Sequence, residues 1–433
     1  MSDSTVETEL EDVTRHKFRQ GKTWSARDSG WMMNLFGTAI GAGILYLPIN
    51  AGAGGIWPLV VMAFLAGPMV WLAHRNLVRF CLSSSDPASN ITSTVNEHFG
   101  TTAGRVLTLA YFLSIYPIFL LYGIGVTNVV ISFMEYQLQM EPPPRILLSL
   151  GLVSCLVAIM HIGEKWMLRS VKFLCYPLVV ILLGISIYLI PHWNLAAFDQ
   201  PFNIHDMLLT LFLSTPLLVF SFNHSPACSA FAQAYRLTIP DREACAQKTS
   251  LILKRNTQLL LVVILLFVFS CVLSLTPEDL LQAKEANLPV LSVLANRSGN
   301  PVFAVIASAI AFLAIASSFF GVYLGTLEGM QGLVIQQWHK YNGHKPLNPI
   351  ALRRGTLAFA LITCWLAGNA NWNVIGMVEI VVVPILATIL YLMPVYALYR
   401  VPDLRRFRNI YLDTFTTIVG IVAITAFIVD QVL

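Results

Sequence analysis

The chain has 433 residues, 56% hydrophobic and only 12% charged, with a formal net charge of +4 and mean hydropathy +0.68. That much apolar surface exceeds what a soluble fold of this length hides, so a lipid bilayer is the expected solvent. The small charge excess calls for no nucleic-acid partner. The seven cysteines lack a C-x-x-C pair and the nine histidines lack ligand spacing, which argues against a disulfide framework or a metal site.

Residues 1–30 are polar and lack the short apolar core of a signal peptide, so they read as a cytoplasmic tail. Apolar runs of spanning length follow near residues 31–50, 55–74, 105–134, 146–162, 169–190, 207–233, 256–275, 301–335, 355–372, 374–399 and 411–431. These make eleven spans in one transmembrane domain, residues 31–433. With the N-terminus inside, all 27 Lys and Arg residues except Arg145, Lys284 and Arg297 fall on the cytoplasmic side. Arg169 and Lys172 fit this anchoring pattern. The eighth run is too long for one perpendicular crossing, and residues 276–300 outside suggest a short amphipathic helix.

Two spans are interrupted. In the first, "FGTAIGAGILYLP" places Gly37, Gly41 and Gly43 within seven residues and closes on Pro48. In the sixth, "VFSFNHSPACSAF" sets Asn223, His224 and Pro226 near mid-span. A glycine costs about 1 kcal/mol in a helix relative to alanine. Backbone groups freed in hydrocarbon cost more unless something satisfies them. Either break alone fits a packing seam or an ordinary kink equally well. Five spans separate the two, so they cross the membrane in opposite directions. That arrangement points to inverted repeats with a substrate site between them. The repeats would run about 31–190 and 207–399, with 411–431 as an extra helix.

The motifs "GTAIGAGILYLPINAGAGG", "FSFNHSP", "FSCVLSLTP", "YLGTLEG" and "LMPVYAL" occur in order at matching spans. Together they resemble the bacterial serine/threonine permeases of the hydroxy/aromatic amino acid permease family, within the amino acid–polyamine superfamily. The likeness runs from about Asp28 to the C-terminus. It implies an all-α membrane protein of the leucine-transporter type, with a five-plus-five inverted repeat and broken helices one and six. It further implies amino acid uptake across the bacterial inner membrane, driven by protons or sodium, with no cofactor. The C-terminus would then be periplasmic.

A zwitterion carries a carboxylate and an ammonium, and an unwound helix offers partners for both. On the resemblance, backbone N–H groups around Ala39, Gly41, Ala42 and Gly43 face the carboxylate. Carbonyls near Phe220, Ser221 and Phe222 face the ammonium. Thr38, Ser221, Asn223, His224 and Ser225 form a polar cluster sized for a small hydroxylated substrate. Tyr122, Thr127 and Asn128 either line the opposite wall or bond their own helix.

Intramembrane ionisable groups are functional candidates, which singles out Glu328, Glu379 and His224 for proton coupling. Alternatively, Glu328 lies at the cytoplasmic interface, Glu379 reaches external water, and His224 merely bonds the break. In the wider fold a Ser/Thr pair in span eight helps hold sodium, and Ser317 and Ser318 stand there. The resembling permeases read Lys-Ser at that place, so this departure leaves the coupling ion open. No repeated pore motif or charge ring supports a channel, no added domain supports a sensor, and no nucleophile–base pair supports an enzyme. Within transport, aromatic amino acids are the alternative substrate.

Overall fold

The computed structural model describes residues 23–52, 55–195, 198, 203–285, 289–298, 302–343, 345, 347–371 and 382–430. Among these, ten helices are long and apolar enough to cross a membrane, and a bent pair at the first span makes eleven. The expected N-terminal tail up to Lys22 and the start of the tenth span, with Glu379, lie outside the described residues.

Span one begins on a capping box, in which Ser25 and Asp28 bond each other's backbone N–H. It is helical from Ala26 to Ala39, opens at Ile40 and Gly41, and resumes as a 3₁₀ turn (Ala42–Leu45) and a short helix (Leu47–Gly52). The two parts bend by 60°. Span two is Ile56–Cys81. The helix of span three starts earlier than hydropathy suggests, at Ile91, because Asn90 caps it and the polar first turns are invisible to an apolar window. Gly100, at φ +81°, breaks that helix and sets Ile91–Phe99 off as an arm before the span proper.

Spans four (Arg145–Ile162) and five (Glu164–Leu189) are joined through Gly163 alone. Span six is two helices, Ile204–Ser221 and Ser225–Arg236, and span seven is Arg242–Leu273. The segment between spans seven and eight holds two short helices rather than one, Pro277–Glu285 and Val290–Ser298, with Pro289 immediately before the second. Span eight runs from Val302 to Asn342. Its 41 residues rise about 60 Å, twice the hydrocarbon thickness, so it continues into the aqueous layer. Spans nine (Pro349–Ala370), ten (ending Met393–Arg400 after a π turn at Thr388–Leu392) and eleven (Ile410–Asp430) complete the chain.

Spans one, two, six and seven pack on one another, as do three, four, eight and nine, and span five touches both groups. The two groups meet where span eight crosses span one. Glycines make that approach close: Thr38 occupies the space a Cβ on Gly321 would need, and Pro226 and Ile115 crowd Gly325.

At the end carrying most Lys and Arg, span one is tied down by ion pairs. Asp28 and Lys248 pair at 2.8 Å, both essentially buried, and Tyr235 donates to the same carboxylate. Lys248 also donates to the Thr23 carbonyl at 2.8 Å. Arg27 pairs with Glu164 at 2.7 Å and reaches the Ala234 carbonyl, while Trp31 donates to Glu164. Spans one, five, six and seven are thereby closed at this face.

Replacing Gly321 with leucine should lower the unfolding temperature by about 5 °C through overpacking against Thr38. Gly184→Leu, where a Cβ meets nothing within 4 Å, should leave it unchanged. Thiol labelling of the buried cysteines during heating in detergent reads both.

Candidate substrate site at the two helix breaks

The break in span one frees backbone groups in a defined pattern. Gly41 N–H turns back to the Ala39 carbonyl at 3.1 Å, and Ile44 N–H bonds Gly41 at 3.2 Å. The N–H groups of Ala42 and Gly43, at the start of the 3₁₀ turn, have no helical partner. On the other side of the break, Ser318 Oγ donates to the Gly37 and Thr38 carbonyls at 2.6 and 3.3 Å. Span eight thus satisfies the carbonyl end of the break, and Ser317 bonds within its own helix, to Ala314.

Span six is held open by side chains. Asn223 Oδ1 accepts from Ser225 N–H at 3.0 Å, taking the donor that would have closed on the Ser221 carbonyl. Pro226, in the first turn of the second half, has its φ preset for a helix start. His224 N–H donates across to His74 Nε2 of span two at 3.1 Å. The His74 and His224 rings stack with centroids 3.5 Å apart and planes 7° from parallel.

The partners assign the tautomers. Each ring sets Nδ1 against a carbonyl, Val70 at 2.8 Å for His74 and Phe222 at 3.1 Å for His224. Each then sets Nε2 against a donor, His224 N–H and the Asn256 amide at 3.4 Å. Both imidazoles are therefore neutral Nδ1–H forms with every nitrogen engaged. This gives His224 a holding role in the break. His74 escapes sequence reading because the second run seemed to end there. Treating Ile56–Cys81 as one span would have exposed it as an intramembrane histidine.

A small cavity lies between the two breaks. Thr38, Ala39, Gly41 and Gly43 border it from span one, Phe220, Ser221 and Asn223 from span six, and Tyr122 from span three. Ile44 and Pro226 from the two breaks, with Ile118 and Val322, which the motifs do not single out, supply apolar wall. The Tyr122 hydroxyl occupies the place of a Cβ on Gly41, so only glycine admits it there. Ser221 Oγ is buried and without a hydrogen-bond partner. Thr38 instead bonds its own helix, at the Asn34 carbonyl (2.5 Å).

Other expected residues lie elsewhere. Ala42 contributes backbone at the turn, and Ser225 starts the second half-helix. Asn128 is corrected out of the wall: it sits four residues before the end of the span-three helix, donating to Asn371 at 3.1 Å and accepting from Arg145 at 2.6 Å. Thr127 bonds the Gly123 carbonyl of its own helix at 2.9 Å. Glu328 lies away from the cavity, toward the basic face. It accepts from Tyr111 at 3.5 Å, and Ser229, in the second half of span six, lies near it.

His74→Ala leaves the His224 N–H unpaired in a buried site, at a cost of about 1–3 kcal/mol. Uptake per molecule inserted in the membrane should fall at least about tenfold. His74→Gln, which can still accept that N–H, should recover part of it.

The closing step is comparison with known proteins. In fold, the chain matches the crystal structure of an Eremococcus coleocola manganese transporter mutant, with a TM-score of 0.56 over 94% of this chain and 86% of that one, at 14% identity. This is a leucine-transporter-type architecture with two broken helices. In sequence, it is 45% identical to the serine transporter SdaC of Escherichia coli K12 over 409 residues, 93% of this chain and 94% of that protein. It is 40% identical to the threonine/serine transporter TdcC of Yersinia enterocolitica over 422 residues, 93% and 95% of the two chains. Residues 29–347 match the tryptophan/tyrosine permease family, and the chain belongs to that family.

Proposed function

We propose that this chain, an amino acid transporter by family, imports serine or threonine across the bacterial inner membrane by proton symport with alternating access. The observation that carries the substrate reading is the unpartnered Ser221 hydroxyl at the same cavity as Gly43, whose N–H lies at the start of the 3₁₀ turn without a helical partner. The N–H groups suit a carboxylate, carbonyls at the end of the first half of span six suit an ammonium, and Ser221 Oγ suits a substrate hydroxyl. The small apolar wall of Ile118 and Val322 fits a short side chain better than an indole or phenol. The resemblance to the named serine and threonine transporters supports the same substrates.

The basic distribution supports a cytoplasmic N-terminus and a periplasmic C-terminus. On that orientation the Asp28–Lys248 and Arg27–Glu164 pairs close the cytoplasmic exit. Substrate release then requires them to part, which is the alternating-access step.

Proton coupling is supported by Glu328. It takes part in no ion pair among the described residues. Tyr111 of span three, Cys81 of span two, and Cys228 and Ser229 of span six face it. A carboxyl between the two helix groups changes its charge with one proton, so protonation state and helix position are coupled. A sodium reading is favoured by one different feature, the Gly37 and Thr38 carbonyls gathered around Ser318.

Uptake into proteoliposomes under separately imposed gradients tests these readings. An inward proton gradient should concentrate serine or threonine, and accumulation under sodium alone would replace proton with sodium. Uptake of tryptophan but neither hydroxylated amino acid would overturn the substrate assignment. Ser221→Ala should weaken serine binding about tenfold and leave alanine binding unchanged, the worth of one hydrogen bond. Glu328→Gln should keep serine counterflow yet lose accumulation driven by the proton gradient.

A further inference from the structure

Span two carries Trp71, Arg75 and Arg79 at intervals of four residues, hence on one helix face. Arg75 and Arg79 are half-buried, and neither makes a hydrogen bond or ion pair among the described residues. The Nε of each is buried without a partner. Among the described residues, the close contacts of both guanidiniums are aromatic. Arg75 lies over Trp71 at 4.2 Å and Arg79 over Phe407 at 4.1 Å. Arg406 covers the same Phe407 ring at 4.8 Å and pairs with Glu243 at 3.3 Å.

One carboxylate, Asp413 at the start of span eleven, acts on both guanidiniums from beyond ion-pair distance. Its Oδ2 is already engaged, accepting from Tyr399 and from Asn409 N–H at 3.0 Å each. Glu243 also acts on Arg79 from beyond ion-pair distance, and its two oxygens are engaged by Arg406 and Gln247, so each carboxylate the two arginines face is already occupied. Each guanidinium offers five N–H donors in a fork that matches phosphate oxygens, and none is used. Successive steps of four residues rise about 6 Å, so two forks one turn apart can grip neighbouring oxygens of a single phosphodiester.

We infer that Arg75 and Arg79, with Arg406 beside them, form a binding site for the phosphate of an anionic phospholipid in the leaflet at the basic face. The surroundings favour lipid over dissolved phosphate. The arginines lie within a membrane-spanning helix, up to six residues before its end at Cys81. The adjoining ends of spans ten and eleven expose Tyr396 (60%), Ile410 (63%) and Tyr411 (85%). Exposed tyrosine and aliphatic side chains at a span end are the surface against which acyl chains lie. Basic pockets between spans at this level hold anionic headgroups. The bound phosphate would join span two, of the group that carries the broken helices, to spans ten and eleven outside it.

The test uses the full-length protein in vesicles of zwitterionic phosphatidylcholine, with or without phosphatidylglycerol in both leaflets, so it depends on neither orientation nor substrate. Phosphatidylglycerol should raise the unfolding temperature by at least 5 °C. Arg75→Gln/Arg79→Gln should lose that rise, and Arg79→Lys, which keeps the charge but not the fork, should keep only part of it. Native mass spectrometry should show phosphatidylglycerol retained on the wild type and lost from the double variant. If that variant does not fold, the Arg79→Lys comparison decides by the same two measurements. An equal rise in wild type and variants, or equal lipid retention, overturns the site. A full rise with inorganic phosphate in phosphatidylcholine alone overturns the lipid as its source.

Discussion

A backbone N–H or C=O in hydrocarbon must find a partner, and two spans of this protein are built to break that rule partway along their length. Everything around them answers the resulting debt of hydrogen bonds. Ser318 takes the carbonyls left by span one, Asn223 takes the Ser225 N–H, and His74 takes the His224 N–H. Left over at the breaks are the N–H groups that start the 3₁₀ turn and the Ser221 hydroxyl, and Gly43 and Ser221 border one cavity. On the proposed function, these open groups are where a polar ligand replaces water.

The histidine pair shows how much of this depends on neutrality. Each imidazole gives one proton to a carbonyl and accepts one from an N–H. A second proton on either ring would set a donor against a donor, so the pair serves geometry and leaves charge transfer to other groups. Glu328 is placed differently. It sits toward the basic face among Tyr111, Ser229 and two thiols, between the helix group that holds the breaks and the group that braces them. The buried Asp28–Lys248 pair lies further out on the same side. Burying such a pair gains little net stability, because desolvation offsets the attraction, while parting it without other partners is costly. That balance suits a contact that holds one conformation and must be broken to reach another.

Much of the architecture was legible before any coordinates. Long apolar runs and the placement of lysine and arginine defined the spans, because lipid leaves little choice of secondary structure. Glycines in span one and Asn-His-x-Pro in span six located the breaks. Where hydropathy failed, polar residues were the reason. The arm at Ile91–Phe99 and the first turns of span seven are helical but not apolar. The second short helix between spans seven and eight follows Pro289, in a segment too short and mixed for periodicity to resolve.

Side-chain partnerships were not legible. Tyr122 and Asn128 lie six residues apart on one helix and read alike as polar candidates, yet one meets Gly41 at the cavity and the other meets Arg145 and Asn371 far from it. His74 and His224 are 150 residues apart, and nothing local to either announces the stack. The sequence by itself determined the number of spans, their alternation and the points where two helices come apart, since these follow from local propensity and from transfer between water and lipid. Only the tertiary structure decided which freed groups are satisfied and which stay open. Those choices depend on distances between helices that are remote in the chain.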